Sequence, residues 1–198
     1  FGYQNILSGT GTALYLNNGQ LAAGHSPAFT EGLDPVAMDP FVWYHIAVTY
    51  NASTEEMKLY KNGVLVNTAT LVPDYTETDQ KIGTFGGGNF FYGRMDQLRF
   101  WTEERTATEI ADSYNCKISG DEPNLLAWYN FNNGVSEANN SGLTTLKDDA
   151  DKCDVNNGTL TGFALNGLAS NWNADSVTLS GSCAASFPNI KLEGNNIC

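Results

Sequence analysis

Apolar and polar residues alternate with a period of two along much of the chain, and the alternation stops at Asn-Gly pairs and glycine clusters. Side chains on a strand point to opposite faces in turn. The pattern therefore predicts half-buried β-strands joined by tight turns. Residues 57–69, MKLYKNGVLVNTA, read as a hairpin: two alternating runs meet at Lys61-Asn62-Gly63. Asn-Gly supplies the left-handed backbone that a two-residue turn requires. TALYLNNGQLAAG, 12–24, repeats the device with Asn17-Asn18-Gly19. FVWYHIAVTY, 41–50, is dense in β-branched and aromatic residues and reads as a strand. QKIGTFG and FFYGRMDQLRFW add two strands around the glycine-rich loop Gly86–Gly88, and NLLAWYNFNNG and GTLTGF add two more beyond Pro123. One helix interrupts the series. In TATEIADSY, Thr106 is placed to cap and Glu109, three residues on, completes a capping box ahead of Ile110. Many short strands and one short helix predict an all-β, antiparallel jelly-roll sandwich.

One strand breaks its own pattern. In GRMDQLRFW, 93–101, strict alternation puts Asp96, Leu98 and Phe100 on one face and Met95, Gln97, Arg99 and Trp101 on the other. The first face is the more apolar and should meet the core. A carboxylate there needs a cation, a partner or several donors. Arg94 or Arg99 is the ordinary partner, and a metal ion is the other.

Composition narrows the partners. Twenty-two Asp and Glu against ten Lys and Arg leave a net charge of −12. That field repels phosphate backbones and anionic lipid, which argues against nucleic acid and favours cations and neutral partners. No apolar run approaches the roughly 20 residues of a membrane-spanning helix, so membrane insertion is not expected. The chain opens at Phe1 inside an apolar-aromatic stretch, as a mature or excised piece would. The four cysteines, Cys116, Cys153, Cys183 and Cys198, include no C-x-x-C pair and have no histidines at zinc spacing. An even count in an acidic, Asn/Gly/Thr-rich chain favours disulfides and an oxidising compartment. Three pairings satisfy four cysteines. Cys116–Cys153 with Cys183–Cys198 is the expected one, because nearer pairs close more easily.

WYHIAVTYNASTEEMKLYKNGVLV, KIGTFGGGNFFYGRMDQLRFWTEERTATEI and NLLAWYNFNNG…NNGTLTG, in that order, resemble the laminin G-like branch of the concanavalin A-like lectin/glucanase superfamily, in its bacterial surface and secreted form. The resemblance covers roughly residues 5–165. It implies a sandwich over 1–182 and leaves 183–198 as a tail or linker. Members usually carry two further strands before the one matching NILS, and the motifs of those strands are absent here. The resemblance therefore implies a sandwich completed by an upstream fragment or by a neighbouring copy. The tail FPNIKLEGNNI, 187–197, is the expected donor within this chain.

The resemblance further implies a structural calcium at the sandwich rim, with Asp96, Asn132, Asp148 and Asn157 as ligands. Calcium takes 6–8 oxygens from carboxylates, amides and carbonyls, and residues 147–157 are rich in them. Asn132 stands where relatives often have Asp, so one charge is missing. Asn157 also heads a glycosylation sequon, which conflicts with a metal role.

Catalysis is not expected. Glucanase relatives carry paired carboxylates on one mid-strand face. Here the acids cluster as Glu55 and Glu56 before a hairpin, as Glu103, Glu104 and Glu109 around the helix, and in the 148–154 loop. His45 reads as a packing residue, and Ser8 and Ser26 have no motif-placed base. Glycan binding is what the resemblance implies, with aromatic platforms beside amides and acids as its means. Tyr75, Phe90 and Trp172 are the candidates, each with a core role as the alternative. The chain thus reads as an extracellular or cell-surface, lectin-like adhesion module for glycan or matrix polysaccharide. The other reading is a structural subunit of a fibre that self-associates by strand exchange.

Overall fold

The structure is a computed structural model. It describes residues 3–9, 13–24, 32–70, 72, 80–85, 88–150 and 155–183. Contacts divide the chain into two compact units, one of residues 1–93 and 104–115 and one of residues 94–103 and 116–198.

Unit 1 holds β1 (Tyr3–Ser8), β2 (Ala13–Asn17), β3 (Gln20–Gly24), β4 (Gly32–Ala37), β5 (Ile46–Asn51), β6 (Glu56–Lys61), β7 (Val64–Thr70), β8 (Lys81–Ile82) and helix α1 (Ala107–Ser113). Five strands form one antiparallel sheet in the order β4-β3-β2-β1-β8, and β5-β6-β7 form a second. The two sheets meet at β4 and β7, where Asn67 Nδ2 donates to the Leu33 carbonyl at 3.0 Å. Tyr15, Leu21, Met57 and Leu59 are buried, and Tyr60 is buried beside Leu59 where the β6–β7 register shifts. This is the antiparallel jelly-roll sandwich that the alternation predicts.

Both Asn-Gly hairpins form at the predicted register. Asn18 and Gly19 have φ of 50° and 86°, Asn62 and Gly63 of 51° and 79°. Gly63 has a second reason to be glycine, since a Cβ there would stand 2.8 Å from the Tyr114 ring. The capping box forms as read: Glu109 N–H donates to Thr106 Oγ1, and Thr106 N–H donates to Glu109 Oε2.

Several predicted strands are shorter than their apolar runs. β5 begins only at Ile46, directly after His45, whose N–H and carbonyl are both bonded to Asn62 of the next turn. QKIGTFG contributes the two residues of β8, and GTLTGF contributes a two-residue strand, Gly158–Thr159.

Unit 2 holds β9 (Leu98–Trp101), β10 (Leu125–Tyr129), β11 (Thr145–Leu146), β12 (Gly158–Thr159) and a 3₁₀ turn, Gly167–Ala169. β9 pairs with β10, and β11 with β12. Ile118, Leu125 and Trp128 form its core, with Trp101, Ala150 and Cys183 packed against them.

The disulfide differs from expectation. Cys116 pairs with Cys183, 67 residues away, with Cα atoms 4.8 Å apart. The expected Cys116–Cys153 and Cys183–Cys198 pairs followed separation along the chain. Here a ladder decides instead: Lys117 N–H donates to the Gly181 carbonyl, and Cys183 N–H donates to that of Lys117. Cys153, Cys198 and the donor tail 187–197 lie outside the described residues.

Candidate functional site

Asp96 does not lie on the β9 core face. Gln97 has φ 56°, a left-handed residue that ends the alternation, and the strand starts at Leu98. Asp96 instead lines an open groove of unit 2 with Gln97, Lys117, Asn132, Ser176 and Ser182, floored by Val177 and Leu179. Its partners are neither of the two arginines. Arg94 pairs with Asp175, and Arg99 donates to the Cys116 carbonyl at 2.9 Å. Asp96 Oδ2 accepts the Val177 N–H at 3.2 Å, and Oδ1 accepts Gln97 Nε2 at 3.4 Å. Partial burial raises its pKa, and the hydrogen bonds from Val177 and Gln97 counter that in part.

The four candidate metal ligands divide into two pairs. Asp96 and Asn132 share the groove. Asp148 and Asn157 are committed to the backbone. Asp148 is buried, and its Oδ1 accepts the N–H groups of Trp128 (2.9 Å) and Ala150 (3.0 Å), its Oδ2 that of Asn156 (3.0 Å). Asn157 Oδ1 accepts the Asp148 N–H at 2.9 Å. Three short backbone bonds saturate Asp148 and the Asn157 oxygen already holds the Asp148 N–H, whereas each Asp96 oxygen takes a single longer bond, so the Asp148–Asn157 pair is the poorer fit to a calcium ligand set. Among the described residues no three His, Cys, Asp or Glu side chains gather as a metal site.

The aromatic candidates separate by exposure. Trp172 is buried: its indole packs on Gly134, where a Cβ would stand 2.3 Å from the ring, and lies 6.1 Å from Phe163. It fills the interior of unit 2 rather than offering a ring face to solvent. Tyr75 lies outside the described residues. Phe90 is 51% exposed, and Tyr92, which the alternation reading passed over, is 81% exposed. Both lie in a segment that follows Gly88 and runs beside β1. The signal for Tyr92 was present in FFYG: if Phe90 points out, so does the residue two further on.

Three of the candidate acids, Glu103, Glu104 and Glu109, are engaged elsewhere. Glu104 accepts from Asn51 Nδ2 (2.8 Å) and Lys58 Nζ (3.2 Å), which hold its pKa low. Glu109 caps α1, Glu103 accepts from Asn124, and His45 lies edge-on to Tyr114 at 5.9 Å. Ser8 Oγ donates to the Thr84 carbonyl, and Ser26 lies outside the described residues.

A laminin G profile of the concanavalin A-like lectin/glucanases superfamily matches residues 4–111. Among solved structures, the chain is similar to a Bacteroides ovatus protein provisionally named as carbohydrate binding. The TM-score is 0.63 and the identity 17%, over 85% of this chain and 52% of that one. This likeness bears on the fold, and the chain spans about half the length of that protein. An S-layer domain-containing protein of Clostridium thermocellum aligns with TM-score 0.33 and 20% identity, over 56% of this chain and 62% of that one, too slight a likeness to argue from. No curated protein matches the chain.

Proposed function

Because the chain belongs to the laminin G-like branch of the concanavalin A-like lectin/glucanases superfamily, we propose that it is a non-catalytic carbohydrate-binding module acting outside the cell or at its surface. The observation that carries this reading is the exposed Phe90 ring on a hydrogen-bonded segment of the sandwich unit. An aromatic ring left about half in water offers a stacking surface for the C–H face of a sugar. The Cys116–Cys183 bridge favours an oxidising compartment. The engaged acids favour binding over hydrolysis.

The test is retardation in gels cast with neutral polysaccharides. Phe90→Ala should weaken retention about tenfold, the size of one aromatic contact. No retardation of the wild type by any sugar polymer would remove the reading. The same gels address self-association. Ile46, Ala47 and Val48 of β5 are only half-buried although the run reads as a core strand, and β5 pairs with β6 alone among the described strands. Strand exchange at that edge would give a ladder of species without polysaccharide. A single sharp band at every loading would exclude it.

For calcium we assign the Asp96–Asn132 wall rather than Asp148 and Asn157. A cation there would offset the partial burial of Asp96. The wild type should melt higher in calcium than in chelator, by the equivalent of about 2.7 kcal/mol at a hundredfold excess over Kd. Asp96→Asn should abolish the difference. Equal melting of the wild type in both, with no metal by elemental analysis, would discard the assignment.

A further inference from the structure

We infer that Phe90 and Tyr92 form a two-ring platform for the interior of an uncharged polysaccharide chain. The inference rests on the carbohydrate-binding reading and names its ligand class. Phe90 and Tyr92 are exposed on either side of Phe91, whose own ring folds over Gly93, where a Cβ would stand 2.4 Å from the ring. Of residues 89–94 Phe91 alone is half-buried. On an extended backbone, side chains two positions apart share a side, about 7 Å apart along the chain. A span of that size matches one pyranose and its linkage.

The segment is held in place before any ligand arrives. Asn5 N–H donates to the Asn89 carbonyl at 2.9 Å, Phe91 N–H to the Gly83 carbonyl at 2.9 Å, and Tyr92 N–H to Gln4 Oε1 at 3.1 Å. Upstream, Phe85 and Gly88 exchange backbone hydrogen bonds, and Thr84 Oγ1 donates to the Gly88 carbonyl at 2.9 Å. Rings with two rotatable bonds on a fixed backbone lose little entropy on binding. Gln4 is a positioning residue: through its Oε1 it fixes the backbone that carries Tyr92.

Ligand class follows from shape and charge. Rings that stand 51% and 81% exposed are surfaces to lie across, so they suit the middle of a chain better than an inserted terminal sugar. Sugars with equatorial substituents present a flat C–H face to such rings. A net charge of −12 repels uronate and sulfate chains.

The experiment uses hydroxyethyl cellulose, laminarin and galactomannan as neutral probes and alginate as the anionic one. A disaccharide and a hexasaccharide of the retarding polymer are then titrated by calorimetry. The hexasaccharide should bind about tenfold more tightly than the disaccharide. Tyr92→Ala should remove that gain, Tyr92→Trp should keep it, and alginate should not retard the protein. Equal affinity for the two lengths, retention by alginate, or a length gain that survives Tyr92→Ala would each overturn the inference while leaving carbohydrate binding standing. Failure of all three neutral polymers, with no retention by alginate, would overturn both.

Discussion

Asp148→Ala is expected to destabilise unit 2 by about 3 kcal/mol, a fall in Tm of roughly 6–12 °C for a chain of this size. The carboxylate sits in the interior with three backbone N–H donors converging on it, from Trp128, Ala150 and Asn156. Alanine leaves all three without their acceptor. The Trp128 N–H is the most costly, because that hydrogen bond is fully buried and Trp128 belongs to the unit 2 core. The Ala150 and Asn156 N–H groups are nearer the surface and recover part of the loss from water, which is why the sum stays below three full penalties. Asp148→Asn should fall between wild type and alanine, since one oxygen remains as an acceptor while the new amide meets an N–H. Asp149→Ala is the control. Among the described residues its side chain pairs only with the mostly exposed Lys147, and its backbone N–H bond to the Trp128 carbonyl is untouched, so the expected loss is below about 1 kcal/mol. Urea unfolding followed by tryptophan fluorescence reads both. An Asp148→Ala midpoint indistinguishable from that of Asp149→Ala would refute the staple.

These neighbouring aspartates show where sequence reading stops. Both hairpins, the capping box and the β10 strand were legible because each depends on residues within a few positions. Asn62-Gly63 fixes its turn by its own φ preference, and Thr106 needs only Glu109. The lengths of β5 and β9 were not legible. Gln97 sits in a left-handed conformation that its residue type does not announce and cuts the run ahead of β9, while β5 starts only after His45, which is bonded to Asn62 of the next turn. The Asp96 puzzle arose from assuming an unbroken period of two. The turn at Gln97 takes Asp96 off the core face, and Trp128 Nε1 donates to the Gln97 side chain at 3.1 Å. Asp148 could not be told from its acidic neighbours 148–154, because its role is set by the distant partner Trp128. Of the site candidates, exposure separates Phe90 from Trp172, and exposure depends on which glycine a ring lies against; Gly134 is 38 positions before Trp172.

Removing the Cys116–Cys183 bridge is expected to have an effect as large as the loss of Asp148, with a different signature. The bridge closes a separation of 67 residues, for which the chain-entropy model gives about 4 kcal/mol. Most of unit 2 lies inside that loop, so its unfolded state is what the bridge restricts. In the folded state the bridge fastens 181–183 to 116–118, beside the two backbone hydrogen bonds of Lys117. The stretch leading up to it, 173–176, is exposed along its length, whereas Val177 is half-buried and donates to Asp96. Without the bridge, that wall of the Asp96 groove keeps the Lys117 ladder, the Val177 N–H bond and the exposed Arg94–Asp175 pair, and it should open before the core does. The double variant Cys116→Ser/Cys183→Ser, or the wild type under reductant, should therefore gain protease cleavage between 173 and 183 at temperatures where the Ile118–Leu125–Trp128 core still holds. Its urea midpoint should fall as well. Adding reductant to the double variant should change neither measure, which separates this bridge from any effect of the remaining thiols. Cleavage that appears first within 125–129 would mean that the core, and not the groove wall, is what the bridge secures. Unchanged cleavage and midpoint in the double variant would mean that the ladder at Lys117 suffices without it.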